Sequence, residues 1–206
     1  RQGMLIRDVQ ASDKGDINEG LDWAIDYTIS RRANHFIWDG DGMGVALKRD
    51  VEKHLNGRGV TYQMFRGSGK VDNPDQIYKP LQTDRSPLKN KHTFRNKRSQ
   101  RYWDLRDRFL KTYEALERGK YTNPDEMISI SSEIGDIDQL RAELCRIPLK
   151  KNNQGFIQVM SKDDMASLPE PIPSPNLGDS VMMSLEPPPM IDLELRDYRR
   201  DVSVFE

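Results

Sequence analysis

The sequence has 206 residues, of which 35% are hydrophobic and 32% are charged, with a formal net charge of -1 at pH 7. This length allows one sizeable domain with a small appended part, and the composition predicts a modest core under a highly charged surface. Cys145 is the only cysteine, which excludes an intrachain disulfide. No apolar run approaches the roughly 20 residues of a membrane-spanning helix, so no membrane partner is predicted.

The first third of the chain alternates predicted strands with predicted helices. Strands are predicted at 4–9, 35–38 and 60–65, and helices at 17–33 and 45–55. Asp16 is the expected N-cap of the first helix, whose apolar residues recur at three- and four-residue spacing. The alternating order predicts right-handed crossovers and an α/β layer fold.

The rest of the chain is predicted to be more loop-rich. A polar loop is expected at 71–92, helices at 93–118, 137–146 and 177–185, and a β-hairpin formed by 147–149 and 155–159. Three prolines at 187–189 end the last helix. Residues 1–186 are therefore predicted as one domain and residues 187–206 as a C-terminal tail.

Two aspartates directly follow the apolar strand that ends at Trp38. Asp39 and Asp41 lie in the segment Asp-Gly-Asp-Gly-Met-Gly, just before a helical pattern. A strand that ends in acids at a glycine turn places negative charge at the edge of a sheet, which suits a divalent cation better than a bare phosphate. The alternative without a ligand is a solvated turn in which aspartate and glycine only satisfy the backbone.

The same turn has features of two other kinds of ligand site. Asp41, Gly44 and Asp50 take positions three, six and twelve of a calcium loop that starts at Asp39, but Met43 at position five offers no hard oxygen ligand. A dinucleotide turn is also conceivable because glycines precede a helix, although two carboxylates would repel a pyrophosphate.

A third aspartate and a lysine lie far along the chain. Asp179 falls in the first turn of the helix at 177–185, where it either compensates the helix dipole or serves as a metal ligand facing Asp39. Lys162 precedes the loop that leads to Asp179 and is either a solvated lysine or a group that steadies charge on a phosphodiester.

A basic stretch without acids predicts contact with a phosphate backbone. From Arg85 to Tyr102 there are seven lysines and arginines, interleaved with aromatic residues. The alternative is a solvated helix face with a loop. Including two lysines at the hairpin tip, the candidate DNA-binding residues are Lys89, Lys91, Arg95, Lys97, Arg98, Arg101, Lys150 and Lys151.

These parts together would support metal-assisted phosphodiester hydrolysis. Two divalent ions held by shared carboxylates, about 3.5–4 Å apart, activate a water and stabilise the leaving oxygen. An all-oxygen site fits Mg²⁺ or Mn²⁺, whereas Zn²⁺ prefers histidine or cysteine, and the three histidines show no metal-ligand spacing.

The order of these motifs resembles the nuclease domain of the large terminase subunit of tailed phages, a member of the RNase H-like superfamily. The resemblance covers about residues 1–186. It is carried by four motifs in chain order: Asp39, Gly42 and Gly44; Phe94, Asn96 and Arg98; Ser161, Lys162 and Met165; and Ser174, Pro175 and Asp179.

The resemblance implies a metal-dependent endonuclease that cuts concatemeric double-stranded viral DNA during headful packaging. Asp39 and Asp179 match two of the family's catalytic acids, Asp41 is a further acid of the metal site, and Lys162 matches a lysine near the cut site. The implied cofactor is Mg²⁺ or Mn²⁺, with two ions. The implied location is the host cell cytoplasm, outside the mature virion.

The family pattern also implies partners and marks two departures. The partners are double-stranded DNA, a terminase ATPase domain, the small terminase subunit and the portal protein; no Walker A pattern occurs in this chain. The family's first two strands, with its first acid, have no counterpart here. Asn176 stands where many relatives have an acid.

Two alternative functions remain open. One is another RNase H-like nuclease, such as a resolvase, and the other is a non-catalytic DNA- or portal-docking module.

Overall fold

The computed structural model describes residues 1–12, 15–80 and 86–189. Within these ranges the helices are α1 (Ile17–Ser30), α2 (Lys48–Leu55), α3 (Asn90–Thr93), α4 (Lys97–Arg118), α5 (Ile137–Cys145), α6 (Lys162–Ala166) and α7 (Asn176–Met183). The strands are β1 (Leu5–Ile6), β2 (His35–Asp39), β3 (Thr61–Phe65), β4 (Ile77–Tyr78), β5 (Leu88–Lys89) and β6 (Ser129–Ile130). Short 3-10 helices lie at Gly42–Leu47 and Pro124–Glu126.

The predicted α/β class is confirmed, with strands in three small pairs across the described residues. β2 and β3 are parallel and in register from His35 opposite Thr61 to Asp39 opposite Phe65. β1 pairs in parallel with β6, and β4 pairs antiparallel with β5. The parallel β2–β3 pair brings the end of both strands to one edge, where Asp39 lies.

The β2–β3 pair is covered by α1 and α2. Asp16 caps α1 as expected, because its carboxylate accepts the backbone N–H groups of Asn18 and Glu19. The apolar side chains of the two helices and of β2 form one buried cluster. Its buried members are Leu21, Ile25, Phe36, Trp38, Leu47, Val51 and Leu55.

A second buried cluster joins α4, α5 and α7. Asn96 caps α4 by accepting the N–H of Ser99, and Gly119 ends the helix in the left-handed region at φ 63°. Tyr102 and Leu105 of α4 pack there with Leu140 of α5 and Val181 of α7. Burial of these faces fixes α7 against α4, which positions the acid carried by α7.

Several predicted boundaries are wrong. The first strand contains only Leu5 and Ile6, and the expected loop at 71–92 contains β4, β5 and α3. The long helix begins at Lys97, since Asn96 is extended with φ -156° and ψ 175°. The hairpin is reduced to a single antiparallel bridge between Leu149 and Val159.

The C-terminal part also differs from expectation. A short helix, α6, was not predicted, and α7 spans Asn176–Met183 where the sequence predicts a helix at 177–185. Most of the predicted tail, residues 190–206, lies outside the described residues. Across the described part of the chain, no helix is both long and apolar enough to cross a membrane.

Candidate active site

Asp39 is held at the end of β2 by a close approach of the backbone. The N–H of Gly40 donates to the carbonyl of Phe65 at 2.7 Å, which extends the parallel pairing past the aspartate. Gly44 then folds back against the strand: a Cβ at this position would lie 1.8 Å from the carbonyl oxygen of Asp39. The indole N–H of Trp38 donates to the carbonyl of Gly44 at 2.9 Å and fixes this return.

Asp179 is a buried carboxylate on the first turn of α7, with 5% of its surface exposed. Its Oδ1 accepts from the Tyr102 hydroxyl at 2.6 Å and from the Arg98 guanidinium at 3.2 Å. Its Oδ2 is buried and accepts no hydrogen bond from the described residues. Burial raises the pKa of the Tyr102 hydroxyl, and the charge of Asp179 raises it further, so Tyr102 stays a donor.

Lys162 contacts both carboxylates, and we call the space around the side chains of Asp39, Asp179 and Lys162 the cleft. Its Nζ lies 3.1 Å from Asp179 Oδ2 and 3.8 Å from Asp39 Oδ2. Lys162 and Asp179 form an ion pair but not a hydrogen bond, because the contact lacks hydrogen-bond geometry. The two oxygens therefore lie no farther apart than the sum of these distances, about 6.9 Å.

Arg98 connects three parts of this cleft. Besides Asp179, its guanidinium donates to the carbonyl of Met160 at 2.8 Å and lies over the Tyr102 ring at 5.0 Å. Met160 precedes the turn into α6, so the same arginine positions the segment that carries Lys162. The sequence predicted Arg98 as a DNA contact, but its charge is directed at the carboxylate.

Asp41 faces the loop that leaves β3. Its Oδ2 accepts the backbone N–H of Ser68 at 2.9 Å, and its Oδ1 accepts the Ser68 hydroxyl at 2.7 Å. The N–H of Asp41 in turn donates to Asp39 Oδ1 at 2.9 Å. With both of its oxygens bonded to Ser68, Asp41 orients Asp39 and the β3 exit loop.

A further residue that the sequence reasoning missed is Glu143 on α5. This buried carboxylate accepts the backbone N–H of Gly178 at 2.9 Å and so satisfies a donor in the first turn of α7. A negative charge at a helix N-terminus is favourable, and here it comes from another helix. Glu143 lies 35 residues from Gly178 in the chain, so no local pattern indicated it.

The predicted DNA-binding residues divide into paired and exposed groups. Lys89 and Lys91 both contact Asp75, and Lys150 contacts Asp164 at 2.6 Å. The hydrogen bonds from Lys91 and Lys89 lower the pKa of Asp75 to about 2. Lys97 and Arg101 are largely buried in ion pairs with acids. Arg95 and Lys151 are exposed.

The donor set of the cleft fits a hard divalent cation. Asp179 Oδ2 is a buried carboxylate oxygen that accepts no hydrogen bond from the described residues, and it shares the Lys162 ammonium group with Asp39 Oδ2. Carboxylate oxygens are the ligands that Mg²⁺ and Mn²⁺ prefer. In the described residues no group of three or more histidine, cysteine or acidic side chains is arranged to hold a metal. Asp39 and Asp179, which both face the Lys162 ammonium, form a pair of candidate ligands.

Comparison with known proteins gives matches among solved structures. A scan against protein-family models and a search of curated proteins each gave no match. Among solved structures, the nuclease domain of the large terminase subunit gp2 of bacterial virus Sf6 matches with a TM-score of 0.83 and 38% sequence identity. The match covers 91% of this chain and 80% of that one.

Two further structures of the same domain match in the same way. A mutant with manganese and beta-thujaplicinol has a TM-score of 0.83, and a mutant with calcium has a TM-score of 0.82, each at 38% identity. The predicted RNase H-like fold and the resemblance stated from the sequence motifs are therefore confirmed. The chain belongs to the family of nuclease domains of phage large terminase subunits.

Proposed function

We propose that this domain is a divalent-metal-dependent endonuclease that cleaves double-stranded concatemeric phage DNA during headful packaging. Family membership supports a nuclease role in packaging and favours it over the resolvase-like alternative. The observation that carries the proposal is the convergence of Asp39 and Asp179 on one Lys162 ammonium in a single cleft. The buried Asp179 Oδ2, which is paired with Lys162 but accepts no hydrogen bond from the described residues, supports this function over a module that only docks DNA or portal.

The proposed cofactor is Mg²⁺ or Mn²⁺, two ions in all, with Asp39 and Asp179 as protein ligands. Related nuclease domains were crystallised with manganese or calcium, which supports a divalent ion. When bound, such ions activate water and stabilise the leaving oxygen of a phosphodiester. Asp41, whose oxygens contact Ser68, is proposed to orient Asp39 rather than to coordinate an ion directly.

The residues around the acids have distinct proposed roles. Tyr102 and Arg98 hold Asp179 Oδ1, which leaves Oδ2 directed into the cleft. Lys162, whose side chain is 45% exposed, is free to turn from the carboxylates towards a phosphate oxygen when a cation takes the charge between them. Of the predicted DNA-binding residues, Arg95 and Lys151 are exposed and are proposed to contact a DNA backbone.

The partners proposed from the family are an ATPase domain, a small terminase subunit and a portal protein, and the proposed location is the host cytoplasm. Sequence specificity is expected to be low, because lysine and arginine contacts to phosphates position a duplex without reading its bases.

A plasmid assay tests the proposed function directly. The purified chain is expected to convert supercoiled plasmid to nicked and linear forms with Mn²⁺ or Mg²⁺, and to stop when a chelator is added. Asp39→Asn is expected to lose this activity because an amide cannot replace an ionised ligand. Asp26→Asn, the same change at an exposed position of α1, is expected to cleave like the wild type.

Two results would contradict the proposed metal-dependent endonuclease activity. Cleavage that persists with chelator, or that is equal in Asp39→Asn and wild type, would contradict a metal site at Asp39. Retention of DNA by the wild type without any cleavage at any Mn²⁺ concentration would favour the docking module instead.

A further inference from the structure

Four charged side chains form a compact ion cluster beside the cleft. We call Lys97, Arg101, Asp72 and Glu186 the Glu186 cluster. Arg101 Nε lies 2.7 Å from Glu186 Oε2 and its Nη2 lies 2.5 Å from Asp72 Oδ2, while Lys97 Nζ contacts Glu186 Oε1 and lies 3.3 Å from Asp72 Oδ1. The side chains of Lys97, Arg101 and Glu186 are 17%, 14% and 10% exposed. Both oxygens of Glu186 are therefore used by the two cations.

The two cations lie directly next to the candidate active site. The N–H groups of Lys97 and Arg98 donate to the carbonyls of Gly69 and Gly67, so the first turn of α4 is docked on the β3 exit loop. Arg98 contacts Asp179 from the same turn. A duplex that reaches the carboxylates would bring its phosphates close to Lys97 and, one turn further along the helix, Arg101.

Glu186 attaches the segment that follows α7 to helix α4 through Lys97 and Arg101. Helix α7 ends at Met183, and Leu185 is buried in the second core cluster. Beyond it, Pro187, Pro188 and Pro189 are exposed and have no N–H groups to donate. Among them, the carbonyl of Pro187 accepts a hydrogen bond from Gln63 Nε2 at 2.9 Å.

A carboxylate that bridges a lysine and an arginine makes the contacts that a phosphate would make. Arginine binds carboxylates and phosphates with the same planar set of donors. If Glu186 withdrew, Asp72 would still contact both cations and keep them in place. The pair would then carry one uncompensated positive charge, which a backbone phosphate would neutralise.

We propose that Lys97 and Arg101 form a binding site for one DNA backbone phosphate, and that the Glu186 carboxylate occupies this site in the free protein. DNA and the segment 186–189 then compete for the same two cations, which restrains the nuclease until DNA displaces Glu186. This inference rests on the proposed function, because it assumes that duplex DNA is the ligand of the adjacent cleft.

Salt-dependent DNA binding tests the competition. Glu186→Gln in the full chain is expected to bind a short duplex about 5–10-fold more tightly than wild type, measured by fluorescence anisotropy with chelator present. The plot of log affinity against log salt is expected to steepen by about 0.9, the change for one added phosphate contact. Glu170→Gln, which removes an equal charge from an exposed loop, is the matched control.

The contradicting result is an affinity and a salt slope for Glu186→Gln equal to those of Glu170→Gln. The increase in DNA affinity must also depend on Lys97 and Arg101. The triple variant Lys97→Gln, Arg101→Gln, Glu186→Gln is therefore expected to lose this increase. An increase that survives in the triple variant would reject the site.

A second measurement leaves Glu186 unchanged, so it tests the proposal even if Glu186→Gln disturbs folding. A nitroxide on Pro188→Cys, in a Cys145→Ser background, is expected to become more mobile when the chain is saturated with duplex. Unchanged mobility at saturation would overturn the proposal.

The same assays separate this inference from the proposed function. Metal-dependent nicking by the wild type, together with equal binding by the two glutamine variants, would reject only the competition. If neither the wild type nor Glu186→Gln binds or cleaves DNA, the proposed nuclease function fails, and the phosphate site fails with it.

Discussion

Asp179→Asn is expected to lower metal-dependent plasmid cleavage by at least about 10²–10³-fold, the scale on which removal of a strong electrostatic stabiliser acts in other enzymes. The amide oxygen takes the place of Oδ1, where Tyr102 and Arg98 donate to it, so its NH₂ group faces the cleft in place of Oδ2 and cannot act as a metal ligand. Its Oδ1 still accepts from Tyr102 and Arg98, so the fold is expected to lose only about 1–2 kcal/mol of unfolding free energy.

The measurement is initial nicking rate over a range of Mn²⁺ concentrations, with urea unfolding of the same preparations. Asp26→Asn is again the matched control, since its side chain is exposed on α1 far along the chain from Asp179. A variant that stays folded and cleaves at more than a tenth of the wild-type rate would show that Asp179 is not a ligand.

Gly44→Ala is expected to have the largest effect on stability. The added methyl group would lie 1.8 Å from the carbonyl oxygen and 2.9 Å from the carbonyl carbon of Asp39, and both are backbone atoms that no rotamer change can move. The 3-10 helix at Gly42–Leu47 must shift and lengthen the bond from Trp38 Nε1 to the carbonyl of Gly44. We expect a loss of about 2–4 kcal/mol in unfolding free energy and a loss of cleavage, because Asp39 moves with its carbonyl.

Gly20→Ala provides the control for this substitution. Gly20 lies within α1, and a Cβ at this position meets nothing within 4 Å. Alanine favours a helix over glycine by about 1 kcal/mol, so this variant is expected to be more stable than the wild type. Equal denaturation midpoints for Gly44→Ala and wild type would contradict the packing described for the end of β2.

Local patterns were sufficient for the elements that position Asp39. The spacing of apolar residues in α1, its Asp16 cap and the apolar strand before Asp39 depend on neighbours in sequence, and the structure has them near the predicted places. Helix α6 was missed although Ser161 caps it by accepting the N–H of Asp164 at 3.1 Å. The Ser-x-x-Asp pattern at 161–164 is a recognisable N-terminal signal for a helix of only five residues.

Local sequence patterns could not predict contacts between residues that are far apart in the chain. The sequence indicates Tyr102 only as an aromatic residue at the end of the basic stretch, whereas its hydroxyl contacts Asp179, 77 residues away. The stretch without acids predicts that Lys97 and Arg101 contact DNA, but Asp72 and Glu186, which lie outside this stretch, provide their counter-charges. A basic run therefore predicts a basic surface only after long-range partners are known.

The most direct test of the central claim is Mn²⁺ binding by the wild type, by Asp39→Asn, by Asp179→Asn and by the double variant, measured by titration calorimetry without DNA. If one cation is shared by both carboxylates, each single variant loses at least about tenfold in affinity, a free-energy change of about 1.4 kcal/mol. The double variant then loses less than the sum of the two single losses. Wild-type affinity in both single variants would contradict a shared metal site.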